Sequence, residues 1–175
     1  MSIPIISIVG KSNSGKTTLI EKIIPQLKSK GYKVGTIKHD VHGFEIDHEG
    51  KDTYRHFHAG TDTVLIASSK DKKLALVKRV NESMSLDELT EKFFHDMDMV
   101  ITEGYKAGDK PKIEVFRSEI HDKLLPIDNN NRIALVTDKQ FEVDVPQFGF
   151  EEIDGIVDFI EKRALVTPSE KWYRR

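Results

Sequence analysis

Residues 10 to 17 read Gly-Lys-Ser-Asn-Ser-Gly-Lys-Thr, a full Gly-x-x-x-x-Gly-Lys-Ser/Thr pattern, and no other stretch of the chain restricts its fold as tightly. Each residue type has a chemical reason. Gly10 and Gly15 let the backbone amides of the loop, those of Asn13 and Ser14 included, curl around phosphate oxygens. Lys16 reaches the β and γ oxygens, and the Thr17 hydroxyl is the type of group that ligates Mg²⁺. Thr18 continues into a helix whose positive dipole end faces the same anion. The loop follows residues 3 to 9, Ile-Pro-Ile-Ile-Ser-Ile-Val, a near-continuous apolar run of the kind shown by a parallel strand buried on both faces. Strand, glycine loop and helix in that order imply a nucleoside triphosphate site.

The rest of the chain continues that architecture. Leu19, Ile20, Ile23, Ile24 and Leu27 share one helical face that stops near Gly31, and Pro25 inside it predicts a kink or a shortened second half. Residues 32 to 38 read as a second strand, completing a βαβ unit. The polar segment from 39 to 60 holds five of the seven histidines and reads as loop with a short helix at 54 to 59. Residues 63 to 67 and 74 to 77 read as two strands joined by a turn. Ser85-Leu-Asp-Glu88 resembles a capping box, placing a helix start near 86 and Phe93 and Phe94 in the core. Further strands are expected at 97 to 102, 112 to 116 and 133 to 136. A last helix is expected on Ile153, Ile156, Val157 and Ile160, before a mobile tail at 164 to 175. The sum is an α/β fold: a P-loop NTPase three-layer sandwich with a largely parallel central sheet and an extra β-strand pair, in a single domain spanning 1 to 175.

With 27 Lys and Arg against 29 Asp and Glu, the chain lacks the basic excess of a nucleic-acid binder. The absence of cysteine excludes disulfides and thiolate metal sites. The apolar run from Ile3 is too short to cross a bilayer, so no membrane partner is expected and a cytoplasmic location is.

Ligands of open α/β sheets bind beyond the carboxyl ends of the strands, so each strand end offers a candidate. Asp98 and Glu103 flank one strand, and ~3.3 Å per residue separates them by roughly 16 Å, so only Glu103 is at the correct end. Glu103 is assigned, with Thr17, to the Mg²⁺ shell or to orienting an attacking water, alongside Lys16 as the second catalytic candidate. Asp40 follows the second strand; a contact to Mg²⁺ or the γ-phosphate and an ordinary loop aspartate fit it equally. Thr137-Asp138-Lys139 follows a later strand. There a carboxylate could accept the paired N1–H and N2–H₂ donors of guanine while the lysine stem covers the base, although the order differs from the Asn-Lys-x-Asp signature of many GTPases. His56 and His58 would point about 200° apart on a helix, which disfavours a metal site. Lys11 reads as a surface lysine. For transition-state charge, Arg55 and Arg117 are the remaining candidates.

Several blocks resemble one family together: Gly10 to Leu19, Gly35-x-Ile37-Lys38-His39, Gly50-Lys-Asp-Thr-Tyr-Arg55 with Ala59-Gly60, Thr102-Glu103-Gly104-Tyr-Lys106, and Lys112-Ile-Glu-Val115. In that order they are similar to the molybdopterin-guanine dinucleotide biosynthesis protein B family, MobB, over about residues 3 to 160. The resemblance implies a GTP-binding, weakly hydrolysing homodimer that uses Mg²⁺. Such a protein assists a molybdopterin guanylyltransferase that joins GMP to molybdopterin, a pterin that is itself a candidate ligand. It places Gly10, Gly15, Lys16, Thr17 and Thr18 at the phosphates and Glu103 at the magnesium-side acid position. Lys38, His39, Asp47, Lys51, Asp52 and Arg55 fall in family blocks and are expected to contact phosphate, pterin or partner. The strand pair at 63 to 77 is a candidate dimer element. Two other readings compete: a small-molecule or nucleotide kinase using ATP, and a dimerising regulatory ATPase, for which only Lys11 speaks.

Overall fold

The computed structural model describes residues 3–40, 42–45, 47–128 and 130–165, which form two compact units. The larger comprises Met1–His39 and Leu86–Arg175, the smaller Asp40–Ser85.

In the larger unit, β1 (Ile5–Val9) runs into the glycine loop and α1 (Lys16–Ser29), and β2 (Val34–Lys38) follows. The helix continues through Pro25, burying Leu19, Ile20, Ile23 and Leu27 on one stripe. After the smaller unit come α3 (Leu86–Phe93), β5 (Met99–Glu103), β6 (Lys112–Phe116), β7 (Arg132–Thr137), β8 (Gln147–Phe148) and α4 (Ile153–Ile160). The strand β8 escapes sequence reading because two residues carry no periodicity. The six strands pair only in parallel, in the order β2-β5-β1-β6-β7-β8. The strands of the sheet centre are buried on both faces, so β1 reads as an apolar run, while β6 and β7 carry buried charges at Lys112, Glu114 and Arg132 that must find partners.

One face of the sheet, with Ile6, Ile8, Met99, Ile101, Ile113, Val115 and Val136, packs with α1 and α4 in a single core. Fully burying each such side chain contributes about 1.5–3 kcal/mol, so this layer dominates the stability. A polar rim joins the two helices: Lys22 to Glu151 at 2.8 Å, Gln26 to Asp154 at 2.7 Å, and Lys30 to Asp158 and Glu161 at 3.0 and 2.8 Å. Glu161 also accepts from the Tyr32 hydroxyl at 2.6 Å. Lys30, then Tyr32, hold its carboxyl below the ordinary range. Beyond α4 the chain continues in a π-helical turn, Glu161–Leu165. Ala164, where a mobile tail is expected to begin, is buried there, and the remainder, 166 to 175, lies outside the described residues. On the other face Phe116 meets Phe141 and His121 edge-on, at 4.7 and 5.6 Å. Phe94 lies over Gly35, as a core residue should, but Phe93 is 44 % exposed and is not part of the core.

Beneath the sheet, Glu114 and Arg132 form a buried ion pair on neighbouring strands, Nε to Oε2 at 3.0 Å. Glu114 Oε1 accepts the Leu125 amide at 2.6 Å, and Arg132 Nη2 donates to the Leu125 carbonyl at 2.7 Å. Both charges therefore hold the long connection between β6 and β7.

The smaller unit contains α2 (Asp52–His58) and an antiparallel hairpin of β3 (Thr63–Ser68) and β4 (Lys73–Lys78). The pairing sets Val64 opposite Val77 and Ile66 opposite Ala75 on one face, which with Tyr54, Phe57 and His58 lines a pocket of about 240 Å³. The opposite face carries Leu65 against Leu76 and Ala67 against Leu74, with all three leucines exposed. Arg79 lies over the Phe57 ring at 4.2 Å and donates to the Phe57 carbonyl at 2.9 Å. Among the described residues no helix is long and apolar enough to cross a membrane.

Candidate functional site

The loop after β1 is shaped by two left-handed residues, Asn13 at φ 63° and Gly15 at φ 97°. Gly15 is the N-cap of α1 and supplies a conformation that costs other residues strain; no side chain caps the helix. Gly10 is needed for a different reason: a Cβ there would stand 2.5 Å from the Val115 carbonyl and from Ser14 Oγ. The loop is thus pressed against β6. Leu19 is the first residue of α1 to donate backward, to the Gly15 carbonyl at 2.9 Å. Among the described residues the amides of Lys16, Thr17 and Thr18 have no acceptor, so they point donors at one place at the positive end of the helix dipole.

Charge gathers at the same end of the sheet. Glu103, the last residue of β5, lies between Ile8 of β1 and Lys38 of β2 in register. The Thr17 hydroxyl donates to its carboxylate at 3.1 and 3.2 Å, and Lys38 Nζ lies 4.0 Å from Oε1. Lys16 Nζ donates to the Lys11 carbonyl at 2.7 Å, spanning the loop. Burial pushes the Lys16 pKa down, Glu103 acts against that, and Lys106 and Lys38 push it further down. Three lysines around one carboxylate make a positive field in a partly desolvated corner, which an added anion relieves. Thr17 and Glu103 offer two hard oxygen ligands side by side, the donor type Mg²⁺ takes together with substrate phosphates. They fit that ion, which would supply positive charge to a polyphosphate when bound.

The turn after Glu103 is fixed by its neighbours. His39 N donates to the Glu103 carbonyl at 3.0 Å, Gly104 N donates to the Ile8 carbonyl at 3.0 Å, and the His39 and Tyr105 rings lie 4.5 Å apart. Burial raises the Tyr105 hydroxyl pKa. Lys38 and His39 therefore belong to this site's wall.

The remaining candidates fall in two other places. Thr137, Asp138 and Lys139 sit at the carboxyl end of β7, on the far side of β1 from Glu103. Asp138 accepts the Ser118 amide at 2.9 and 3.2 Å and the Ser118 hydroxyl at 3.0 Å. Burial raises its pKa, but those bonds and the nearby Arg117 cation outweigh it, so the carboxyl stays below the usual range. Thr137 Oγ1 accepts the Lys139 amide at 3.0 Å and donates to the Lys139 carbonyl at 2.8 Å, which sets the turn.

Asp40, Asp47, Lys51, Asp52 and Arg55 lie in the smaller unit. Asp40 accepts the His42 amide at 2.8 Å as a turn residue does. Asp47 accepts from the Thr53 hydroxyl and the His48 amide, and Thr53, then His48, lower its pKa. Lys51 is the N-cap of α2, and Arg55 lies 3.9 Å from Asp52. His58 stacks on Tyr54 at 3.8 Å, its Nδ1 2.9 Å from the Tyr54 carbonyl.

Sequence reading had no role for Lys106, Ser118 or Phe150. Ser118 is placed by its bonds to Asp138, and Lys106 acts by charge on Lys16; Lys106 alone carried a signal, standing in the block after Glu103. Arg117, weighed as a source of transition-state charge, lies instead over the Phe150 ring at 4.2 Å, on the β6 side of the loop.

Known proteins share this fold and sequence over most of the chain. The model of the family described as molybdopterin guanine dinucleotide synthesis protein B matches residues 5–138. The molybdopterin-guanine dinucleotide biosynthesis adapter protein of Haemophilus influenzae is 38 % identical over 160 residues, 91 % of this chain and 88 % of that protein. Its counterpart in Escherichia coli is 30 % identical over 160 residues, 90 % of this chain and 91 % of that one. The crystal structure of Bacillus subtilis MobB superposes with a TM-score of 0.72 at 29 % identity, covering 93 % of this chain and 98 % of that one. This chain belongs to the molybdopterin guanine dinucleotide synthesis protein B family.

Proposed function

We propose that the chain is a GTP-binding adapter in the biosynthesis of molybdopterin-guanine dinucleotide, assisting a guanylyltransferase that attaches GMP to molybdopterin. The observation that carries the nucleotide part is the convergence of acceptor-free amides at the start of α1 with Lys16, Lys38 and Lys106 around the Thr17–Glu103 pair. That arrangement supports binding of a Mg²⁺-complexed polyphosphate. The names of the relatives support the pathway.

Within this reading Lys16 holds the β and γ oxygens, Thr17 and Glu103 hold Mg²⁺, and Glu103 orients water. Hydrolysis is slow, because no arginine among the described contacts reaches the Thr17–Glu103 pair, and such a charge contributes about 10³-fold or more where it is present. Asp138, which keeps spare acceptor capacity beyond its bonds to Ser118, selects guanine through the base's paired donors.

Titration calorimetry with GTP and with ATP, each with Mg²⁺, tests the assignment. Tighter binding of GTP, by about tenfold or more, is the expected result, with the preference lost in Asp138→Ala. An ATP preference would instead favour a kinase or a regulatory ATPase. The reading includes a homodimer formed through the leucine face of the β3–β4 hairpin; sedimentation at micromolar concentration is expected to give a dimer, and a monomer there removes it.

A further inference from the structure

The strand order separates the two ends of any nucleotide laid on the loop. Glu103 and Lys38 lie on β5 and β2, to one side of β1, while β6, β7 and β8 extend on the other. With the phosphates and Mg²⁺ on the first side, as in the function proposed above, the nucleoside extends over the second. Two strand spacings, roughly 10 Å, lie between β1 and the end of β7.

Three side chains stand on that second side, each just past the end of a strand. Arg117 follows β6, Asp138 follows β7, and Phe150 comes two residues after β8. The Arg117 carbon Cζ lies 4.2 Å from the Phe150 ring centroid, and a Cβ at Gly15 would stand 3.7 Å from Arg117 Nη2 and 3.8 Å from the Phe150 ring. The pair therefore abuts the back of the phosphate loop. Among the described residues the Arg117 guanidinium makes no hydrogen bond and no ion pair, although it is half-buried, and its charge acts on Asp138. A guanidinium is planar, weakly hydrated and suited to lie flat between two π systems.

We propose that Arg117, held flat by Phe150, is the platform on which the nucleobase stacks, with Asp138 at the edge of the same pocket. The proposal rests on the reading of the loop as a nucleotide site and adds the base subsite to it. Arg117 acts here on the base and not on the γ-phosphate. An aromatic ring behind it fixes the plane, so the stack forms with little loss of side-chain freedom.

Three ligands separate the possibilities: Mg²⁺-GTP, an abasic ribose triphosphate and inorganic tripolyphosphate, each titrated into the full chain. Arg117→Ala is expected to weaken GTP about tenfold or more, the scale of one base stack, while leaving both ligands without a base within twofold. Phe150→Leu is expected to shift GTP in the same direction by less. Arg117→Lys, which keeps the charge and loses the plane, is expected to stay near Arg117→Ala. Equal losses for all three ligands would assign Arg117 to the phosphates and overturn the proposal, as would unchanged GTP affinity. Should Arg117→Ala fail to fold, Arg117→Lys decides: full GTP affinity with lysine overturns the stack. Lys16→Ala is the reference, expected to weaken all three ligands. If the unaltered chain binds none of them, the nucleotide reading itself fails, a result distinct from loss of the base subsite alone.

Discussion

Lys16→Ala is expected to weaken Mg²⁺-GTP binding by roughly a hundredfold, on the scale of about 2–5 kcal/mol for removing one partner of a desolvated charge pair. The reason is the electrostatic composition of the site. Lys16 is partly buried, lies close to Glu103, and shares its corner with Lys38 and Lys106. The ammonium already reaches across the loop to the Lys11 carbonyl at 2.7 Å, so little reorganisation is needed for it to meet a phosphate oxygen. Lys38 and Lys106 partly compensate the lost charge, which sets the size of the effect below complete loss at high ligand concentration. The melting temperature without ligand is expected to hold or rise slightly, because burial of a charge already works against the folded state here. Full GTP affinity in Lys16→Ala would show that the loop is not the phosphate site. Thermal shift with and without GTP, alongside calorimetry, reads both quantities.

Arg132→Ala is expected to cost about 3–5 kcal/mol of stability, against a total of about 5–15 kcal/mol for a domain. The Arg132 and Glu114 side chains are 6 % and 2 % exposed, and Leu125 bonds to both. Removing one partner strands a charge in a dry place, a heavier loss than the pair's own net contribution. The double variant Arg132→Met with Glu114→Leu is therefore expected to be more stable than Arg132→Ala, although the Leu125 amide then loses its acceptor. Urea denaturation checks both; a loss under 1 kcal/mol for Arg132→Ala would mean that solvent reaches the pair. Because the pair sits below the sheet's ligand end, the surviving folded fraction of either variant is expected to keep its GTP affinity.

Some of this was legible residue by residue. The strand β1 was visible because a strand buried on both faces is apolar along nearly its whole length, and β7 through its apolar stretch 133 to 136; the charges of β6 at Lys112 and Glu114 gave no sign that both its faces are buried. The stripe of α1 was visible through its 3.6-residue spacing, and Pro25 misled only about the helix's continuity. At 93 and 94 the sequence offered two adjacent phenylalanines and no means to tell which one packs. Phe94 closes the last turn of α3, its amide donating to the Thr90 carbonyl at 2.9 Å, so it points about 100° from Phe93 and only one of them could face Gly35. The place of Glu103 at the end of β5 was legible from strand polarity, since the carboxyl end of a parallel strand is a definite place in sequence.

The glycine loop is the part that the sequence determined by itself. It presents successive backbone amides whose directions follow from local φ and ψ, and Gly10, Gly15 and Lys16 stand within seven residues of one another. The tertiary structure alone decided which distant residues share that loop. Lys38 meets Glu103 because β5 lies between β2 and β1, Arg117 meets Phe150 because β6 and β8 end on the same edge, and Arg132 meets Glu114 across a shifted register. Those contacts depend on strand order and register, which are set by the packing of the whole core and leave no mark in the local pattern of any one segment.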